Sequence, residues 1–551
     1  MSGACFSHAN PTPVVRPTLA LTSPDALALI DLAPDEPASS PDFVEYLSGN
    51  KMPPGAEPFA HCYSGHQFGV YSLQLGDGAA IYLGEVVNSC GVRWDVQLKG
   101  AGRTHYSRSA DGRKVLRSSL RELLGSEAMH ALGIPTTRAA ALIMSDTLVA
   151  RDIHYDGHVI HERASVLTRL APSFLRFGSF EICRESGPSP GQHEALLAPL
   201  LEHVIGLIGL PRASGKAADK EAVRAKAFGE LVRSTARLAA AWMCVGFCHG
   251  VLNTDNMSVL GLTLDYGPFG FLETYDPDYV CNTTDKAGMY AFHKQPEACK
   301  WNCERLAEAL EPLIPRAQTQ PHLEAFDDVY FEAFASTMRA KLGLKASEAA
   351  DNELLSSLLD VMERTGADWT VSFRALCHVP LSSASGTGDA AALAPTVEGL
   401  VECCATPQQL AAMAMGHSME LGAHSAAPED VARSEALRHK AEELGRAPAS
   451  VKRAHDVAHW TAWLQRYVQR LGREDSARDE GAWRAAMKLA NPRVVLRNWI
   501  ALEAIDAAER GDLGTVERVL GVVTRPYEEA ADADGERYAL PASTIEGRCL
   551  S

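Results

Sequence analysis

From residue 66 onward the chain alternates apolar and polar positions in short runs. "QFGVYSLQLGDGAAIYLGEVV" and "GVRWDVQLKG" contain three β-rich stretches separated by glycine-containing turns, the pattern of an antiparallel sheet. The period then changes. In "VLRSSLRELLGSEAMHALG" the residues Leu116, Leu120, Leu124 and Ala128 recur at helical spacing, and Gly133 and Pro135 end the run. Strand-like runs resume with "TRAAALIMSDTLVARDI" and "ASVLTRLA". The stretch "RDIHYDGHVIHERASVLTRL" alternates like a hairpin turning at Asp156-Gly157, so His154, His158 and His161 read as solvated strand residues rather than a metal cluster. After about residue 190 the pattern is helical, and "AKAFGELVRSTARLAAAWMCVGF" runs straight into "HGVLNTDNMS". The remainder, to about residue 525, reads as helices interrupted by "LSSASGTGDAAALAP" (381–395), whose Ser/Gly/Ala composition predicts a mobile linker. Residues 1–60 are rich in Pro, Asp and Ala and predict an irregular arm with one short helical piece near "PDALALIDL". No internal repeat is visible.

Three strands, one helix and two more strands is the element order of a protein-kinase amino-terminal lobe. The expected fold class is therefore α+β and bilobal, a protein-kinase-like fold with an antiparallel N-lobe sheet carrying one helix and a large, mostly helical C-lobe. The expected boundaries are an arm over 1–60, the N-lobe over 61–185, the C-lobe with its catalytic and metal loops over 186–430, and a C-terminal helical extension and tail over 431–551. At 551 residues, 46% hydrophobic and 22% charged, the chain has the composition of a soluble globular protein of two or three packed units. No run approaches the roughly 18 apolar residues of a membrane span. A net charge of −17 argues against a general nucleic-acid binder, although Arg103 to Arg121 is a local basic cluster.

Thirteen scattered cysteines form no dense disulfide framework. The i, i+4 pairs Cys244/Cys248 and Cys299/Cys303 lack a matching second pair at zinc-site spacing and read as helix core. "MSGACFSHANPTPVVRPTLA" has neither a basic region followed by an apolar one nor an Arg-rich character, so neither a secretory signal nor a mitochondrial presequence is supported. The expectation is a soluble intracellular protein, cytoplasmic in a bacterium, mitochondrial in a eukaryote if a targeting segment lies upstream.

The candidate chemistry sits in "HGVLNTDNMS" (249–258) and the "DYGP" that follows at Asp265. A kinase catalytic loop of the pattern H-R-D-x-x-x-x-N places its base two residues after the His, in line with the γ-phosphate. Here that position is Val251, and the nearest carboxylate able to replace it is Asp255. Asn256 and Asp265 reproduce the carboxamide and carboxylate that ligate metal in such a site. Lys99, at the end of the third strand, occupies the place of the phosphate-anchoring lysine, and Glu122 on the following helix is its candidate partner. In "LGDGAAIYLG" (75–84), Gly76 and Gly78 would let backbone N–H groups approach phosphate oxygens, although a G-x-G between strands is more often only a turn. From these residues three readings stay open: transfer of another group such as a nucleotidyl, kinase-type phosphotransfer, and a non-catalytic ATP-binding pseudokinase module.

The blocks "CYSGHQFG", "QLKGAGRTHYSR", "DGRKVLRSSLRELLGSEAMHALGIPTTRA", "SFLRFGSFE", "HGVLNTDNMS", "DYGPFGFLETYDP" and "NPRVVLRNW" together resemble the selenoprotein O family, called YdiU in bacteria, of kinase-like protein adenylyltransferases. The resemblance covers nearly the whole chain. It implies transfer of AMP from ATP to Ser, Thr or Tyr hydroxyls of protein substrates, with Mg²⁺ or Mn²⁺ and with the nucleotide flipped relative to kinases. It further implies that Gly76, Gly78, Lys99, Asp111, Gly112, Arg169 and Arg176 contact ATP, that Asp255 accepts the proton, and that Asn256 and Asp265 hold the metal. The basic segment 103–121 would hold the departing pyrophosphate. Relatives usually carry "GDGRA" where this chain has "GDGAA", so Ala79 removes one expected side chain from the nucleotide pocket. The resemblance also implies a disulfide from Cys281 to the tail cysteine, Cys549, with two free thiols as the alternative. The expected state is a monomer without a nucleic-acid partner.

Overall fold

The computed structural model describes residues 3–152, 157–211, 217–380, 390–411, 439–474 and 479–541. Nine strands form the N-terminal sheet: β1 (Phe6–His8), β2 (Thr18–Thr22), β3 (Phe59–Gln67), β4 (Val70–Gly76), β5 (Ala80–Val87), β6 (Arg93–Lys99), β7 (Lys114–Val115), β8 (Arg138–Asp152) and β9 (Val159–Ala171). They pair in the order β1-β3-β5-β6-β9-β8-β2, with β4 on β3 and β7 on β9, and every pairing is antiparallel. The β8–β9 ladder runs from Arg138↔Leu170 to Asp152↔Val159, the hairpin that the sequence placed around Asp156-Gly157. His154 lies outside the described residues, and His161 is an exposed strand residue.

Two expectations for irregular segments are corrected. The arm 1–60 contributes β1 and β2 to the sheet and carries three short helices, Pro24–Ala28, Glu36–Ser39 and Phe43–Ser48. Its strands pair with β3 and β8, partners far off in sequence, so proline-rich composition hid them. Of the stretch expected as a linker, residues 381–389 lie outside the described residues, while Ala390–Glu402 is a helix with Leu393 and Leu400 fully buried.

The helix Leu116–Ala131 packs on β8 and β9 through Leu116, Leu120, Leu123, Leu124 and Ala128. Its end follows the local chemistry: Gly133 adopts φ 79°, and the amides of Gly133 and Ile134 close back on His130 and Met129. Glu127, five residues past Glu122 on the same helix, is 1% exposed because Arg138, Ser23 and the amide of Ala139 satisfy its carboxylate.

The C-terminal part is helical. Its central helix, Ala217–Val245, packs against Gln295–Leu310 and Phe326–Lys341. It ends at Gly246, φ 73°, where an added Cβ would lie 2.6 Å from the Trp369 ring. Beyond it, Phe247–Cys248 pairs with Gly270–Phe271 and brackets residues 249–269. The helices Asn498–Glu509 and Leu513–Val523 return to pack on the N-terminal helix Leu116–Ala131. Among the described residues no helix is long and apolar enough to cross a membrane.

The returning segment is anchored by Arg497, whose guanidinium donates to Asp368 at 2.7 and 3.0 Å, both side chains being at most 1% exposed. Asp368 in turn caps the helix Trp369–Leu376 by accepting from the amides of Thr370 and Val371. Arg497→Met removes one partner of a buried pair, and the expected cost is about 3–5 kcal/mol. The check is an earlier urea midpoint than wild type, with the helical signal before the transition unchanged.

Candidate active site

The central helix delivers the chain to His249, which the fold locks in place. Its amide donates to Gln295, its Nε2 sits 3.2 Å from the Leu264 carbonyl, and burial lowers its pKa, so it serves as a neutral structural strut. Gly250 follows with φ 78°; a Cβ there would lie 2.5 Å from Cys281 Sγ, so only glycine permits this turn. The loop then winds through Asn253 and the short helical turn Thr254–Asn256.

The β3–β4 hairpin docks on this loop. Its two-residue turn, Phe68-Gly69, has φ 48° and 79°, the geometry whose twist suits an antiparallel hairpin. The amide of Phe68 donates to Asn253 Oδ1, the amide of His66 donates to Thr254 Oγ1, and Gln67 Nε2 donates to Asp255 Oδ2 at 3.1 Å. Asp255 is consequently 8% exposed, and its Oδ1 is buried with no hydrogen-bond partner among the described residues. Burial pushes its pKa up to about 6, against the opposing pull of Arg176 and Gln67.

Asp265 is the charge centre. It adopts φ 63°, a region that aspartate tolerates better than most residues and one that recurs where function constrains backbone. Lys99 Nζ and Arg169 donate to its Oδ1, each at 2.8 Å, and Arg176 donates to its Oδ2 at 3.1 Å. Burial opposes its charge, yet these three cations hold its carboxyl well below the usual range. Lys99 also donates to Glu122 at 2.8 Å, the partner expected from the order of the elements. Arg176 reaches the Asp255 carbonyl at 2.6 Å and lies over the Tyr63 ring, which places one guanidinium between the two aspartates.

Gly78, Ala79, Lys99, Asp111, Gly112, Glu122, Arg169, Asn256 and Asp265 all line one cleft of about 1170 Å³. Gly76, Arg176 and Asp255 are not among the residues that line it, while Val251, at the position of the kinase base, is. Gly76, φ 152°, has a packing reason for being glycine, since a Cβ would lie 2.3 Å from Tyr106. The turn 104–107 is tied to this loop through Thr104 to the Asp77 carbonyl and Ser107 to the Gly78 carbonyl. Asp111 accepts from Arg151 and the Arg113 amide, and Gly112 meets the Gly102 carbonyl too closely for any side chain.

Several contributors carried no signal in sequence pattern. Asp77, 5% exposed, lies 3.7 Å from Arg176. Its place between two glycines marked a turn, and nothing local pointed 99 residues onward to an arginine. Arg121 is held by Asn498 Oδ1 at 2.7 Å, a contact across 377 residues, and lies over the Phe269 ring. Gln67 became visible as a partner of Asp255 only once the hairpin docked.

Among the described residues no group of three or more His, Cys, Asp or Glu could hold a metal ion. The oxygen donors on offer are Asp265 and Asn256, whose Nδ2 donates to the Val251 carbonyl at 3.0 Å and whose Oδ1 takes no hydrogen bond from described residues. One carboxylate and one carboxamide suit Mg²⁺, which retains waters and takes its other oxygens from substrate phosphates. Cys281 donates to the Cys248 carbonyl, and Cys549 lies outside the described residues.

A family model described as "Protein adenylyltransferase SelO" matches residues 3–523. The mitochondrial protein adenylyltransferase SelO of Homo sapiens is 45% identical over 576 residues, covering 99% of this chain and 85% of that protein. The mitochondrial SelO-1 of Danio rerio is 44% identical, covering 95% and 81%. The protein nucleotidyltransferase YdiU of Azoarcus sp. strain BH72 is 41% identical, covering 96% and 90%.

Proposed function

The chain belongs to the SelO family of protein adenylyltransferases, and from that membership we propose that its cleft binds ATP with the α-phosphate toward Asp255 and transfers AMP to a Ser, Thr or Tyr hydroxyl of a protein substrate. The observation that carries this reading is the convergence of Lys99, Arg169 and Arg176 on Asp265 while Val251 occupies the place of the kinase base. Fixed cations and no carboxylate at the γ-transfer position suit a phosphate chain attacked elsewhere along its length.

In the proposed reaction the substrate hydroxyl oxygen forms a bond to the α-phosphorus as the bond from that phosphorus to the β-bridging oxygen breaks, and pyrophosphate leaves. Asp255 takes the hydroxyl proton. Its burial raises its proton affinity toward neutrality, its Oδ2 is oriented by Gln67, and its Oδ1 takes no hydrogen bond from the described residues. Arg176 and Arg169, both 2% exposed, are held rigidly enough to neutralise phosphate charge without reorganising. The basic segment 103–121 receives the outer phosphates. Asp265 and Asn256 would hold Mg²⁺, or Mn²⁺ with the same oxygen ligands, which supplies further charge neutralisation. The reaction is proposed to run within a monomer.

ATP labelled at the α- or the γ-phosphate distinguishes the outcomes. Label in protein from α-labelled ATP alone is the expected result. Label from γ-labelled ATP alone would overturn the reading in favour of phosphotransfer, and nucleotide binding without transfer would leave an interaction module.

A further inference from the structure

The cations lining the cleft are almost all satisfied by the protein itself. Lys99 meets Glu122 and Asp265, Arg117 meets Glu162, Arg151 meets Asp111, Arg121 meets Asn498, and Arg169 meets Gln97 and Asp265. Arg113 donates to the Gly100 and Pro13 carbonyls. Lys114 lines the same cleft, and among the described residues its ammonium has neither an ion pair nor a hydrogen bond.

Sheet register shows where it points. Lys99 on β6 pairs opposite Leu167 of β9, and Lys114 on β7 pairs opposite Ser165 of the same strand. Residues two apart on one strand share a face, so the two lysines share a face too, separated by about 7 Å along the strand direction. The excursion 100–113 brings them together. Gly100 makes this possible, since with φ 100° it approaches Lys114 so closely that a Cβ would lie 3.0 Å from Lys114 Cβ. The charges that act on Lys114 are Lys99 and Arg169, which repel it, and Glu122 and Asp265, which are already engaged by those same cations. Burial, and then repulsion from Lys99, lower its pKa. A partly buried ammonium without an anion is costly unless a ligand supplies one.

We propose that Lys114 binds the outer phosphates of the nucleotide, forming with Lys99 a same-face lysine pair along the triphosphate. The assignment rests on the reading of this cleft as an ATP site. An ammonium is a compact point charge suited to phosphate oxygens, and two of them set along a strand favour an extended polyphosphate over a single phosphate group.

The test measures binding of inorganic tripolyphosphate, ATP and AMP to the full chain by calorimetry, with Mg²⁺ present, for wild type, Lys114→Met and Lys114→Arg. Lys114→Met is expected to weaken tripolyphosphate and ATP about tenfold or more while AMP changes by less than about twofold, and Lys114→Arg to keep most of the affinity. Wild-type affinity for tripolyphosphate in Lys114→Met overturns the assignment, and so does a proportionate loss for AMP, which would mark a structural residue. If wild type binds tripolyphosphate through Lys114 but transfers neither label to protein, the proposed function fails and the lysine assignment stands. If wild type binds neither tripolyphosphate nor ATP, both fall.

Discussion

Asp255→Ala is expected to lower AMP transfer by about 10²–10⁴-fold, the range for loss of a positioned general base, while changing ATP affinity by no more than about twofold. The asymmetry follows from what the side chain touches. Among the described residues its carboxylate accepts one hydrogen bond, from Gln67, and none from Lys99, Arg169 or Arg176. Arg176 meets the residue through its backbone carbonyl, which alanine keeps. Truncation therefore removes a proton acceptor and leaves the phosphate-binding cations where they were. The stability cost is that of one hydrogen bond, about 0.5–1.5 kcal/mol. Single-turnover transfer from α-labelled ATP, alongside ATP binding by calorimetry, reads the two quantities separately. Unchanged transfer removes Asp255 from the reaction, and a parallel collapse of ATP binding makes it a nucleotide-binding residue instead.

Much of this site was legible because its parts lie at the ends of strongly patterned elements. Lys99 closes an alternating strand, Glu122 sits on a helix defined by Leu116, Leu120 and Leu124, and Asn256 and Asp265 follow a helix with a clear stop at Gly246. The family resemblance added Asp111, Gly112, Arg169 and Arg176, of which Arg169 and Arg176 converge on Asp265. The illegible parts depend on pairings distant in sequence. β1 is three residues long and exists through Phe6↔His61 to Phe59, and β2 exists through Thr18↔Met144; neither has a periodicity of its own that overrides the surrounding prolines. Glu127 is the instructive case, since the partner that accounts for its burial, Arg138, lies 2.6 Å away on the neighbouring strand. Lys114 was only one cation in a basic run, and the sheet register set it apart from its neighbours.

The neighbouring aspartate is expected to behave in the opposite way. Asp265→Asn should lower transfer by about 10²–10³-fold, as removal of an electrostatic centre does, and should also destabilise the nucleotide-free protein by about 3–5 kcal/mol, as loss of one partner from a buried ion cluster does. Asparagine is the informative substitution because the residue sits at φ 63°, which asparagine tolerates, so the effect reports charge rather than backbone strain. Without the carboxylate, Lys99, Arg169 and Arg176 face one another with Glu122, Asp77 and, beside Arg176, the Asp255 carboxylate left among the described residues to offset them. Phosphates supply the missing negative charge, so ATP should raise the melting temperature of Asp265→Asn by more than it raises that of wild type. Thermal melts with and without ATP read this directly. Asp255→Ala, whose carboxylate accepts no hydrogen bond from these cations among the described residues, should show a response close to that of wild type. If the two variants respond alike to ATP, then Asp265 is not the counter-ion around which the phosphate site is built.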